Sequence, residues 1–145
     1  MQRITPFLWF DGKAEEAAKF YVSIFKDSKV LSATPMSVTF ELEGQPFYAL
    51  NGGPQYKFTP AISLFVNCET QQEVDELWSR LSTGGSDEQC GWLKDKYGLS
   101  WQIIPKTLGR LLSDKNPKKA NAAMQAMLKM KKIDIKALQQ AFDGA

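Results

Sequence analysis

Two periodicities take turns along the chain, one of two residues and one of about 3.6. Residues 4–10, ITPFLWF, are a short apolar and aromatic run with a proline near its start; they predict a strand, which Asp11-Gly12 breaks. Ala14, Ala17, Ala18, Tyr21, Ile24 and Phe25 then recur at helical spacing and predict an amphipathic helix over residues 13–25. Three runs of strand length follow: KVLSATP, SVTFELEG and QPFYALNGG. Val38, Phe40 and Leu42 alternate with polar neighbours, and Glu43-Gly44-Gln45 supplies a tight turn.

The order then returns. AISLFVNC (61–68) predicts a strand, and TQQEVDELWSRL opens with Thr70 and Glu73 at capping-box spacing before Val74, Leu77, Trp78 and Leu81 fall on one helical face. Gly84-Gly85 ends that helix, and EQCGWLKDKYGLSWQIIP supplies the remaining strands up to Pro105. Leu8 and Phe10 match Leu64 and Val66, so an internal duplication of a βαβββ unit is the economical reading. Beyond it the pattern turns wholly helical. Leu108, Leu111 and Leu112 predict a short helix; Asn116-Pro117 is a cap with proline at the first helical position; Ala120, Ala123, Met124, Met127 and Leu128 form a stripe. Asp134 caps a last helix running through Phe142 and closed by Gly144. The fold class expected is therefore α+β, with two βαβββ modules (1–53 and 60–105) forming a curled mixed sheet with helices outside, and a helical extension (106–145), all in one domain.

Composition narrows the chemistry. The 145 residues are 43% hydrophobic and 23% charged, ordinary for a compact domain. No leader-like or membrane-spanning apolar run is present, which points to a cytoplasmic protein with no membrane partner. The net charge of +2 hides a tail, residues 106–145, with nine Lys/Arg against three Asp. Its lysines interleave with apolar positions, so it reads as a solvated helix face and not as a nucleic-acid surface. Cys68 and Cys90 lack metal-binding spacing and read as reduced thiols, and the chain has no histidine. Cys90 is a weak candidate nucleophile, with only Lys94 or Lys96 nearby to activate it. Lys94-Asp95-Lys96 reads as an exposed turn. The Asn51-Gly52-Gly53-Pro54 stretch opens no helix that would complete a phosphate loop, and no strand, glycine-rich turn and helix combine to cradle a nucleoside cofactor.

A doubled βαβββ unit is the plan of the glyoxalase/bleomycin-resistance, or vicinal oxygen chelate, superfamily. More closely, ITPFLWFDGKAEEAAKFYVSIF, ALNGG, AISLFVNC, QCGWLKDKYGLSWQIIP and MLKMKKIDIKAL resemble the PhnB-like family, whose members often carry the name demethylubiquinone methyltransferase. The resemblance implies strands that curl into a cup, and homodimers that complete each other's cups. In metal-using relatives each module gives one ligand from its first strand and one from its last. Those positions fall here on Thr5 or Pro6, Ala49, Ala61 and Gln102, the last fixed by DKYGLSWQ matching the relatives' Asp-x-x-Gly-x-x-x-acid pattern. Such a set offers no useful metal site and no cofactor is expected. Strand alternation turns Trp101 and Ile103 toward the helices and Gln102 and Ile104 into the cup. On the same parity Thr5, Phe7, Trp9, Phe47, Asn51, Ser63 and Phe65 line it. The expected function is metal-independent binding of a small apolar or planar molecule, with Trp9, Phe47 and Phe65 stacking and Asn51, Ser63 and Gln102 orienting. The alternatives are an enzyme of the same fold and a structural or interaction module whose cup is filled.

Overall fold

The structure, a computed structural model, describes residues 3–145 and divides into two compact units, Met1–Phe58 and Thr59–Ala145. In the first, β1 (Phe7–Phe10), α1 (Ala14–Ile24), β2 (Lys29–Ala33), β3 (Ser37–Leu42) and β4 (Gln45–Asn51) give a four-stranded sheet of order β1-β4-β3-β2. β1 runs parallel to β4 and the other neighbours are antiparallel. The turn between β3 and β4 places Glu43 and Gly44 at φ 48° and 86°, the backbone that matches the twist of a two-residue hairpin. Leu8, Phe10, Val38, Phe40, Phe47 and Ala49 are buried on one sheet face, against Ala14, Ala17, Ala18 and Tyr21 of α1.

The second unit repeats the plan with β5 (Ser63–Cys68), α2 (Gln71–Ser82), β6 (Ser86–Asp87), β7 (Trp92–Lys94) and β8 (Ser100–Pro105), in the order β5-β8-β7-β6. The two-residue β6 is not visible in the apolar pattern. It pairs with β7 next to Gly85, where a side chain would collide with the Lys94 carbonyl oxygen. Val74, Trp78 and Leu81 of α2 are buried together with Leu93, Trp101 and Ile103 of the sheet. The capping box forms with a shift: Thr70 accepts from Glu73 N, but the Glu73 carboxylate reaches the N–H of Glu69, one residue further back than the usual box.

The tail folds as α3 (Lys106–Leu112), α4 (Pro117–Leu128) and α5 (Ile135–Asp143) and belongs to the second unit. Asn116 caps α4, with Pro117 at its first position, and Asp134 caps α5, as the pattern predicts. The buried stripe is rotated from the expected one. Ala123, Ala126, Met127 and Met130 pack with Leu108, Leu111, Ile133 and Leu138, whereas Met124 and Leu128 are exposed. The same cluster takes in Ile104 of β8, so the tail's core is anchored on the end of the sheet. Each buried Leu or Ile there contributes about 1.5–3 kcal/mol by leaving water. Polar ties reinforce the junction. The Gln71 side chain donates to Ile133 O and accepts from Ile135 N, and Lys132 pairs with Asp75 at 2.9 Å. That lysine, helped by Gln71, holds the Asp75 carboxyl below its ordinary value of 3.8.

Candidate functional site

Each sheet has a helix-covered face and an opposite one, and the registers assign every strand residue to one of them. In the first unit Leu8 pairs with Ala49, both buried on the helix side; in the second Leu64 pairs with Trp101. The duplicated units thus superpose Ala49 on Trp101, and the counterpart of Gln102 is Leu50, not Ala49. In register the partner of that position in the first strand is Trp9 in one unit and Phe65 in the other, with Phe7 and Ser63 diagonal to it, while Thr5, Pro6 and Ala61 all precede their strands. Trp9 with Leu50 and Phe65 with Gln102, like the diagonal neighbours Phe7 and Ser63, present neither imidazole nor carboxylate, so the donor set does not fit a divalent cation.

The predicted contacts separate into two groups. Ser63, Phe65 and Gln102 come together on the open face of the second sheet. Gln102 Nε2 donates to Ser63 Oγ at 3.0 Å, and Phe65 lies directly beside Gln102 in register with 53% of its surface exposed. That bond leaves the Gln102 carbonyl oxygen as an acceptor and the Ser63 hydroxyl as a donor. Trp9 projects from the open face of the first sheet. Its indole Nε1 donates to Gly53 O at 3.0 Å, Tyr56 meets its ring edge to face at 4.9 Å, and Gly52 lies so close that any side chain there would displace the ring.

Phe47 and Asn51 are on the other side. Phe47 is 5% exposed and stacked on the buried Phe40, with ring centroids 5.1 Å apart and planes within 9°, in the core beneath α1. The residue of β4 that reaches the open face is its neighbour Tyr48, 45% exposed and edge to face with Phe7. Asn51 serves the fold instead of a ligand, since its Oδ1 accepts from Ala14 N at 2.8 Å and its Nδ2 donates to Pro35 O at 2.9 Å. Lys13, at the N-cap of α1, makes no side-chain cap bond, so a strand residue 37 positions beyond Ala14 supplies it. Asn51→Ala is expected to cost about 1–2 kcal/mol, the range of a lost helix cap, read as a lower urea midpoint at unchanged slope. An unchanged midpoint would remove the capping assignment.

Cys90 is half-buried at φ 60°, its N–H bonds Met130 O, and its thiol makes no hydrogen bond among the described residues. Asp95 is not in an exposed turn. At 2% exposure its carboxylate accepts from Tyr97 N, Leu99 N and Trp101 Nε1, which fixes the β7–β8 hairpin and with it the placement of Gln102. Trp92, on β7, pairs with Gln102 and shares its face. Sequence reasoning misses it as a contact, although the Asp-x-x-Gly turn fixes this register. An open groove of about 640 Å³ lies elsewhere, between Gln71, Arg110 and the start of α5, and none of the predicted contacts lines it. Among the described residues, no helix is long and apolar enough to cross a membrane.

Comparison with known proteins brings the sequence and fold together. The family described as 3-demethylubiquinone-9 3-methyltransferase matches residues 2–104, so α3–α5 lie beyond the match, including the tail stretch MLKMKKIDIKAL. A PhnB protein from Bacillus cereus is 38% identical, covering 72% of this chain and 99% of that one at a TM-score of 0.67. A protein from Pseudomonas aeruginosa is 19% identical, covering 72% and 98%, at a TM-score of 0.60. A glyoxalase/bleomycin resistance protein from Albidiferax ferrireducens is 14% identical, covering 69% and 95%, at a TM-score of 0.49, too distant to carry an argument by itself. No functionally curated protein matches the chain.

Proposed function

Because the chain belongs to the PhnB-like 3-demethylubiquinone-9 3-methyltransferase family and has the α+β glyoxalase-like fold, we propose that it binds a small planar or apolar molecule without a metal. The observation that carries this reading is the Ser63–Gln102 hydrogen bond beside an exposed Phe65. An aromatic surface next to a hydrogen-bonded amide and hydroxyl is the composition of a small-molecule site. The ligand stacks on Phe65 and is oriented by the spare acceptor of Gln102 and the spare donor of Ser63.

The methyl transfer in the family's name is not carried over. A nucleoside cofactor is held where a parallel sheet presents a glycine-rich turn and a free helix N-terminus. Here each sheet has one parallel pair, and the first N–H of α1 is already bonded to Asn51. The residues therefore do not fit that cofactor. Self-association into a homodimer is part of the proposal, supported by the exposure of Phe7 and Tyr48, side by side on one face.

Gln102→Ala tests the site. It is expected to weaken binding of a planar aromatic probe such as 2-naphthamide about tenfold, the scale of one or two hydrogen bonds, with the melting temperature nearly unchanged. Loss of folding without a specific loss of binding would defeat the assignment.

A further inference from the structure

The register around Gln102 sets out two rows of side chains on the face of the second sheet opposite α2. One row is Phe65, Gln102 and Trp92, an amide between two aromatic residues. The next is Ser63, Ser100 and Lys94, two hydroxyls and an ammonium group. Residues paired across neighbouring strands have their Cβ atoms about 4.5–5.5 Å apart, so each row is continuous.

Two features of the second row are unexplained by the fold. Ser100 is 1% exposed and its Oγ is the buried side-chain polar atom without a hydrogen-bond partner among the described residues. A buried hydroxyl left unpaired destabilises a protein, and folding alone gives no reason for one here. Lys94 is half-buried and makes no ion pair among the described residues, whereas other lysines of this unit, Lys106 and Lys132, do.

We propose that Ser100 and Lys94 are specificity residues that receive an anionic oxygen of the ligand. The ligand class is thereby narrowed to planar molecules bearing a carboxylate or a comparable ionised oxygen. Its flat part lies over Phe65 and Trp92, and its charged end reaches the row of Ser63, Ser100 and Lys94. A charge-assisted bond from the ammonium group, with hydroxyl donors beside it, is the usual way a protein selects an anion over its neutral isostere. Gln102, in the adjoining row, orients the molecule without selecting charge. This inference rests on the binding reading above and adds the charge of the ligand.

The test compares two probes of one shape, 2-naphthoate and 2-naphthamide, by isothermal titration with the full chain. The wild type is expected to bind 2-naphthoate about tenfold more tightly, the effect of one charge-assisted hydrogen bond. Lys94→Met should erase that preference, and Lys94→Arg should restore most of it. Ser100→Ala should weaken 2-naphthoate severalfold while holding or raising the melting temperature, a combination a merely structural serine would not give. Equal binding of both probes, unmoved by Lys94→Met, overturns the charge inference and leaves the binding site standing. Binding of 2-naphthoate unaffected by Ser100→Ala removes that residue from the site. If the wild type binds neither probe, both this inference and the binding reading fall.

Discussion

Asp95→Ala should destabilise the protein by roughly 3–5 kcal/mol, the cost of stranding buried partners of a removed charge. Three donors converge on that carboxylate: the N–H groups of Tyr97 and Leu99 and the indole of the buried Trp101. The neighbouring Lys94 and Lys96 are themselves donors and cannot take over. Asp95→Asn keeps one accepting oxygen and should lose a smaller amount. Denaturant midpoints at constant slope measure both, and a loss below about 1 kcal/mol for the alanine variant would show that the turn does not depend on the carboxylate. Since Gln102 lies seven residues along the same hairpin, partial unfolding there would also blur the binding surface.

Phe47→Ala should cost a comparable amount, about 3–5 kcal/mol, through loss of buried aromatic surface and the cavity left beside Phe40. Its effect on ligand should follow stability and nothing else. A Phe47→Ala protein that kept its melting temperature but lost a bound aromatic probe would put Phe47 back on the open face and contradict the register of β4.

These two residues also show where sequence reasoning stops. The elements are legible wherever one face is apolar and the other polar, as in Val38, Phe40 and Leu42, or where a cap announces a helix, as at Thr70, Asn116 and Asp134. The face of β4 is not legible. Phe47 and Tyr48 are adjacent aromatic residues, so alternation alone does not say which points inward, and the parallel pairing with β1 decides it. Asn51 looks like a ligand contact because it shares the parity of Phe47 on a strand of the expected cup; its true partner is a helix start 37 residues earlier. Gln102 and Ser63 are legible because Trp101 and Ile103 fix the parity of β8. Ser100, two residues away on the same parity, carries no signal until its hydroxyl is seen to lack a partner. In the tail, Met124 and Met127 are equally apolar, and only packing against Ile133 and Leu138 separates the buried one from the exposed one.

The junction between the tail and the second sheet also sets an order of events during synthesis. Cys90 N and Gly91 N bond the carbonyls of Met130 and Lys131, and Ile104 lies in a cluster with Ile133 and Leu138. Those bonds cannot close until residues 130 to 138 have been made. The first unit, by contrast, is made of residues up to and including Phe58. On a growing chain the second module therefore lacks these bonds and this part of its core until the tail has been made.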